Sequence, residues 1–387
     1  MNILLVAPNP FFRERGTPIA VRILCETLCE AGHSVDLLTY HIGTDIEIPG
    51  ARVIRIPNVP FVRDVPIGFS LKKVICDLFL SIKMIGMVGR KKYQIIHAVE
   101  EAVFPALLVR LFGRTKLVYD MDSSMPDQLM EKWRYLRVIG PVLLAFERLA
   151  VRRADCVMAV CDDLADRART GDPEKFVVVL QDIPLESEPG NGAVEDLRQT
   201  CRIAGLFVLY VGNLEHYQGI DVLLEGFAAL QPSGQIELVI IGGNDTDIAR
   251  YREKSRSLGI EESTHFLGPR PIGQLADYLE QASILVSPRL TGNNTPMKIY
   301  SYLASGRPIV ATNISSHTQV LDSSCAVLVE PTAEELRQGL ERLVEDEALR
   351  ETIGTAAKEL CESKYSVAEY KRKVIDAYSQ LAHGAGD

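Results

Sequence analysis

The chain has 387 residues, 47% hydrophobic and 24% charged, with a net charge of −9. That length is too great for one ordinary core and predicts two domains. Through residue 185, 24 Lys and Arg face 22 Asp and Glu, against 18 and 29 beyond it. So acidic a second half excludes a general nucleic-acid binder.

The N-terminus MNILLVAP has neither the basic region nor the cleavage site of a signal peptide, and it predicts a first strand over 2–7. The loop PNPFFRER follows, then the helix of GTPIAVRILCETLCEAGH, with Thr17 as its cap, Pro18 as its first residue and Gly32 at its end. Cys25 and Cys29 fall one turn apart on its apolar face. The eight cysteines stand singly, with no CxxC pair or metal spacing, which fits a reducing, cytoplasmic setting. Strands are expected over 34–39 and 52–56. The segment SLKKVICDLFLSIKMIGMVGRKKY (70–93) then surrounds Val74, Ile75, Leu78, Phe79, Ile82, Ile85 and Met87 with Lys72, Lys73, Lys83, Arg90, Lys91 and Lys92. It is either a surface helix packed on its own sheet or a peripheral contact with an anionic membrane face. No apolar run reaches the roughly 18 residues that span a bilayer.

A strand over 94–97 ends at His97. Glu100 and Glu101 open the next helix, where carboxylates gain from the helix dipole and where Glu100 would be the carboxylate nearest a substrate hydroxyl. A strand over 116–120 runs into YDMDSS, which carries Asp120 and Asp122. Such a pair can hold a divalent metal through hard oxygens, but the doubly wound pattern favours an acceptor-side or structural role. Strands over 155–160 and 176–180 complete the first half.

PLESEPGNGAVEDL (184–197), rich in Pro, Gly and Glu, is the expected linker. Beyond it, strands over 206–211, 236–241, 264–268, 283–287, 308–312 and 325–329 again alternate with helical patterns. Continuous apolar strands between helices mean parallel sheets covered on both faces. The expected architecture is two doubly wound Rossmann-like domains, 1–185 and 186–365, facing a central cleft. A last helix (366–387) would lay Val367, Tyr370, Val374, Tyr378 and Leu381 on another surface, the first domain being the candidate. Ligands of such sheets bind beyond the carboxyl ends of the strands. There Gly242 and Gly243 would let the backbone approach a ligand closely. In NNTPMKIYSYLASGRPIVAT (293–312), Thr295 would cap a helix begun by Pro296 and ended by Gly306. Lys298 would then sit in its first turn, where a cation is disfavoured unless an anion is bound there.

These residues resemble those of glycosyltransferase family 4, retaining nucleotide-sugar-dependent enzymes of the GT-B fold. The likeness covers nearly the whole chain: RGTPIAVRILCETLCEAGHSVDLLTY, YQIIHAVEEAVFPALL and ADCVMAVCDDLADRA, then YVGNLEHYQGIDVLLEGFAAL, LVIIGGND, HFLGPRPIGQLADYLEQASILVSP and PMKIYSYLASGRPIVAT. It implies a nucleoside-diphosphate sugar as donor, bound by the C-terminal domain, and a saccharide or lipid-linked saccharide acceptor of cell-envelope or exopolysaccharide synthesis. No obligatory metal is implied, because side chains and a helix start neutralise the diphosphate. Gly212, Asn213, Gln218, Gly242, Gly243, Pro269, Arg270, Arg289, Asn293, Asn294, Thr295 and Ser301 become donor-side candidates. Arg15, Gly16, Thr17, Asp120 and Asp122 are acceptor-side, and His97, Glu100 and Lys298 catalytic.

The chain departs from the family where charge matters. Asn213 and Gln218 stand where an Arg and a Lys are usual, Asn293 and Ser301 where two glutamates are usual, and Val99 where many members have a second histidine. Lys298, assisted by Arg289 or Arg15, is expected to replace the missing cations. Two rival readings stand beside transfer: a sugar-nucleotide-binding protein without turnover, and a GT-B epimerase.

Overall fold

The computed structural model describes residues 1–66, 70–111, 113, 115–185, 194–230 and 236–383. The chain divides into two compact units, Met1–Gln181 with Tyr370–Asp387, and Asp182–Glu369. Part of the expected linker, 186–193, lies outside the described residues, as do 384–387 of the last expected segment. Of the linker's remainder, Leu197 already opens a helix capped by Asp196, whose carboxylate accepts from the N–H groups of Arg198 and Gln199.

The first unit holds a parallel seven-stranded sheet. Its strands are β1 (Asn2–Ala7), β2 (Ser34–Thr39), β3 (Ala51–Arg55), β4 (Ile95–Val99), β5 (Lys116–Met121), β6 (Cys156–Ala159) and β7 (Val177–Val179), in the order β3-β2-β1-β4-β5-β6-β7. Its helices are α1 (Gly16–Glu30), α2 (Leu71–Val88), α3 (Val103–Arg110), α4 (Met125–Lys132), α5 (Gly140–Arg153) and α6 (Asp162–Gly171). Leu4 and Val6 of β1 share a buried core with Cys76, Leu80 and Met84 of α2, Ala106 and Val109 of α3, and Ala150 and Val151 of α5. Those three helices therefore cover one face of the sheet, as right-handed crossovers from β3 through β6 require.

The second unit holds α7 (Leu197–Cys201), β8 (Leu206–Val211), α8 (Ile220–Leu230), β9 (Ile236–Ile241), α9 (Asp245–Ser257), β10 (Thr264–Gly268), α10 (Leu275–Gln281), β11 (Ile284–Ser287), α11 (Lys298–Ala304), β12 (Ile309–Thr312), α12 (Ser315–Thr318), β13 (Val327–Val329), α13 (Ala333–Glu345) and α14 (Glu347–Lys364). The strand order β10-β9-β8-β11-β12-β13, all parallel, reverses between β8 and β11. Apolar clusters pack on each face of this sheet.

The last helix, α15 (Val367–His383), buries Tyr370, Val374, Ala377, Tyr378 and Leu381. Lys371 pairs with Glu30 of α1, and Lys373 donates to Gln181. These are contacts within the first unit.

Both expected Thr-Pro helix starts are corrected. α1 begins at Gly16, with extended Arg15 before it, so Thr17 lies inside the helix. α11 begins at Lys298, and Thr295 leaves its hydroxyl buried without a hydrogen-bond partner. Gly32 and Gly306 do terminate their helices, each with positive φ.

Candidate functional site

In a doubly wound sheet the crevice opens where the strand order reverses, which in the second unit brings the loops after β8 and β11 together. The two are interlocked: Leu290 N–H donates to Tyr217 O at 2.8 Å, and a Cβ on Gly219 would fall 1.9 Å from Pro288 O. Glycine is obligatory at that crossing.

Lys298, the first residue of α11, turns into this junction. Its Nζ lies 4.1 Å from the centroid of the Tyr210 ring and donates to Gln218 Oε1 at 3.4 Å. Gly212 leaves room beside it, since a Cβ there would sit 3.5 Å from the same Nζ. Among the described residues no carboxylate pairs with Lys298. Burial pushes its ammonium down to about 7, and repulsion from the Arg289 guanidinium adds to the effect.

Arg289 itself is nearly buried and braces its own loop. Its Nε donates to Thr291 O at 2.7 Å and its Nη1 to Asn294 O at 3.2 Å, while the guanidinium lies over the Tyr217 ring. Beneath the loop, Thr312 Oγ1 donates to Arg289 O. His317 is fully buried there. Its Nδ1 donates to Thr312 O at 2.8 Å, which leaves Nε2 to accept from Ser287 Oγ at 3.0 Å. Burial, with repulsion from Lys298 and Arg289, holds the imidazole down at about 4, hence neutral. This support was not legible beforehand, since SSHTQV carries no motif.

Several expected donor residues are occupied elsewhere. Gly242 and Gly243 do permit close approach, but to protein: a Cβ on Gly242 would meet Gly212 O at 2.2 Å, and one on Gly243 the Leu214 side chain at 2.5 Å. Ser301 is buried and accepts from Leu185 N–H at 3.1 Å, so its hydroxyl packs the chain entering the unit. Arg270 pairs with Glu195 at 2.9 Å and folds back on its own loop, beside exposed Pro269. Asn213 is exposed and bends its turn, its Oδ1 accepting from Glu215 N–H at 3.3 Å. Asn293 is exposed on the loop after β11, and its carbonyl accepts from Gln319 Nε2 at 2.8 Å. Asn294 lies beside it, its carbonyl held by Arg289.

In the first unit the sheet reverses between β1 and β4. His97, on β4, is fully buried, with Nε2 3.0 Å from Asp120 Oδ2 and Nδ1 2.7 Å from the Tyr378 hydroxyl. Both ring nitrogens are engaged, so His97 presents no atom to a substrate. It joins β4, β5 and α15 instead. Glu100 adopts a left-handed conformation, with φ of 48°, and accepts from Ser123 Oγ at 2.9 Å. Lys73 of α2 reaches Glu101 at 2.7 Å and lies 3.8 Å from Glu100. Burial raises Glu101 to about 8 despite the nearby Lys73. Asp122 is half-buried on the loop after β5. Among the described residues no group of three or more His, Cys, Asp and Glu is placed to hold a metal ion.

Arg15 and Gly16 lie where the loop after β1 meets α1. That loop is paired to 42–44 through backbone bonds between Phe12 and Thr44, both 3.0 Å. At its start, Asn9 has both side-chain polar atoms buried without a partner. Sequence reasoning missed this residue, and an unsatisfied amide at the mouth of the switch point suits a polar ligand.

Two family models match: "Glycosyl transferase 4-like domain" over residues 15–180 and "Glycosyl transferases group 1" over 203–360. A D-inositol 3-phosphate glycosyltransferase of Corynebacterium diphtheriae is 28% identical over 204 residues, 49% of this chain and 47% of that protein. The chain thus spans about half the length of the first curated relatives it matches. Among solved structures, a sucrose-phosphate synthase from Thermosynechococcus elongatus aligns with a TM-score of 0.82 and 20% identity over 99% of both chains. The HepE protein of Anabaena, in complex with UDP, aligns with a TM-score of 0.74 and 16% identity over 98% of this chain and 100% of that one. The chain belongs to the GT-B glycosyltransferases of the family 4 type.

Proposed function

We propose that this glycosyltransferase moves a sugar, with retention, from a nucleoside-diphosphate donor to a saccharide or lipid-linked saccharide of the cell envelope or an exopolysaccharide. The observation that carries the donor reading is Lys298, a cation without a carboxylate partner among the described residues, set over Tyr210 at the β8/β11 reversal. Its Nζ touches Gln218, which stands where the family's lysine is usual. The ammonium therefore reaches that place from α11. A solved structural neighbour binds UDP, which supports a diphosphate there.

In the step proposed, the bond between the anomeric carbon and the diphosphate oxygen breaks, and negative charge grows on the leaving group. Lys298 meets that charge, and Tyr210 and the interlocked loops hold it in place beforehand. His97 is closed to substrate, and Glu100 is engaged by Ser123 and Lys73. The acceptor proton is accordingly assigned to the leaving diphosphate. Side chains supply the neutralising charge, so turnover should persist in chelator. Restoration by Mg²⁺ after loss in chelator would overturn that point.

The test is a panel of UDP, GDP and ADP sugars, measured for binding and for release of the diphosphate, with product configuration read by NMR. One nucleotide class should bind and turn over with retained configuration, and Lys298→Ala should weaken it. Unchanged affinity in Lys298→Ala would remove the basis of the proposal. The neutral Asn213, Gln218 and Asn293 and the occupied Ser301 favour one rival, a nucleotide-sugar-binding protein without turnover. Tight binding with no product from any acceptor would select it.

A further inference from the structure

We propose that the outward sides of α2, α3 and α5 form one surface that docks on an anionic phospholipid bilayer. This rests on exposed side chains of the first unit and stands apart from the transfer reaction. α2 buries only Cys76, Leu80 and Met84, and the apolar residues of 70–93 lie mostly on its outer side. Leu78 and Ile82 are each 60% exposed. On α3, Leu108 is 58% exposed. The turn before α5 adds Val138 at 87%, and α5 itself adds Val142 and Phe146, both more than half exposed. The three helices cover the same face of the sheet, α3 packing against both α2 and α5. Their outer sides are therefore continuous. Apolar exposure on this scale marks an interaction surface.

Charge selects the partner. Residues 71–92 carry six Lys and Arg against one acid, and 134–153 carry five against one, in a chain of net charge −9. Both acids are turned inward: Asp77 is bonded by the Tyr40 hydroxyl, and buried Glu147 by Ser124 and Arg167. Lys72 and Arg90 stand exposed at the ends of the α2 stripe, and Arg137 and Arg153 flank the second stripe. An apolar face rimmed by cations fits acyl chains below and anionic headgroups beside them. A symmetric pairing of two copies through this face would bring like-charged rims together, which opposes it. No helix among the described residues is long and apolar enough to cross a membrane, so the contact is a surface one.

The test is flotation of the full chain with phosphatidylcholine vesicles and with equimolar phosphatidylcholine–phosphatidylglycerol vesicles, in low and high salt. The chain should float with the anionic vesicles, and salt should weaken the partition. Ile82→Glu with Val142→Glu should lower the partition by about tenfold or more. Both positions are exposed, so the variant should keep its melting temperature and nucleotide affinity. A wild-type chain that stays free of anionic vesicles overturns the proposal. So does a concentration-dependent dimer that the double variant makes monomeric.

Discussion

Donor binding should take up a proton, and the amount follows from Lys298. With its ammonium held near 7 in the free protein, about a tenth of the molecules carry the charge at pH 8. A bound diphosphate favours the charged form and returns the group toward its ordinary range near 10. Binding should therefore capture about 0.9 proton at pH 8 but only about 0.1 at pH 6, where the site is already charged. The sign is fixed: the complex holds more protons than the free chain, so affinity falls as pH rises above 7, approaching tenfold per unit above pH 8. The assay is isothermal titration with a nucleotide sugar in buffers of different ionisation enthalpy. A nucleotide sugar is the right ligand because its doubly esterified diphosphate does not titrate in this range. Lys298→Met, neutral throughout, should bind more weakly with no uptake. Uptake near zero at pH 8 in the wild type, or uptake that survives in Lys298→Met, would rule out Lys298 as the group that takes up the proton.

Three further outcomes are expected. Tyr378→Phe removes the hydroxyl that meets His97 Nδ1 and should cost about 1–3 kcal/mol in denaturant unfolding, with nucleotide affinity unchanged. A full loss of nucleotide binding would instead give His97 a direct role. Gly242→Ala should destabilise by more than about 3 kcal/mol, because its Cβ would lie 2.2 Å from Gly212 O at a φ of +112°; a soluble variant with wild-type melting would contradict the loop packing. Glu101, raised to about 8 by burial, binds its proton more tightly folded than unfolded. Its contribution to stability is full below about 4.5 and is lost as pH rises through about 8. Melting curves of Glu101→Gln should show a smaller fall between pH 5 and pH 8.5 than the wild type, and equal falls would refute it.

The strands were legible because each is a short β-branched run covered on both faces, as NILLVA and IELVII are. The helix starts were not. A threonine before a proline can cap only if its backbone is extended at the right point, and here the loop from 289 to 297 folds about Arg289 and delays α11 to Lys298. Lys298 itself was legible, as a cation in an unfavourable place, while its partner Tyr210 was not. His97 matched a motif, yet the group that closes it, Tyr378, lies 281 residues away. For α2, apolar residues occur all round the helix, so periodicity could not tell its inner side from its outer. The inner stripe proved to be the narrower one, Cys76, Leu80 and Met84.

The place of α15 also sets a timetable for synthesis. The unit spanning Asp182–Glu369 is one uninterrupted stretch and can fold as soon as it leaves the ribosome. The first unit emerges earlier but cannot finish earlier. His97 lies fully buried against Tyr378, and Glu30 of α1 pairs with Lys371, so these contacts wait for α15 to emerge. Until then the nascent first unit exposes the face that α15 will cover. The half translated first is completed after the second.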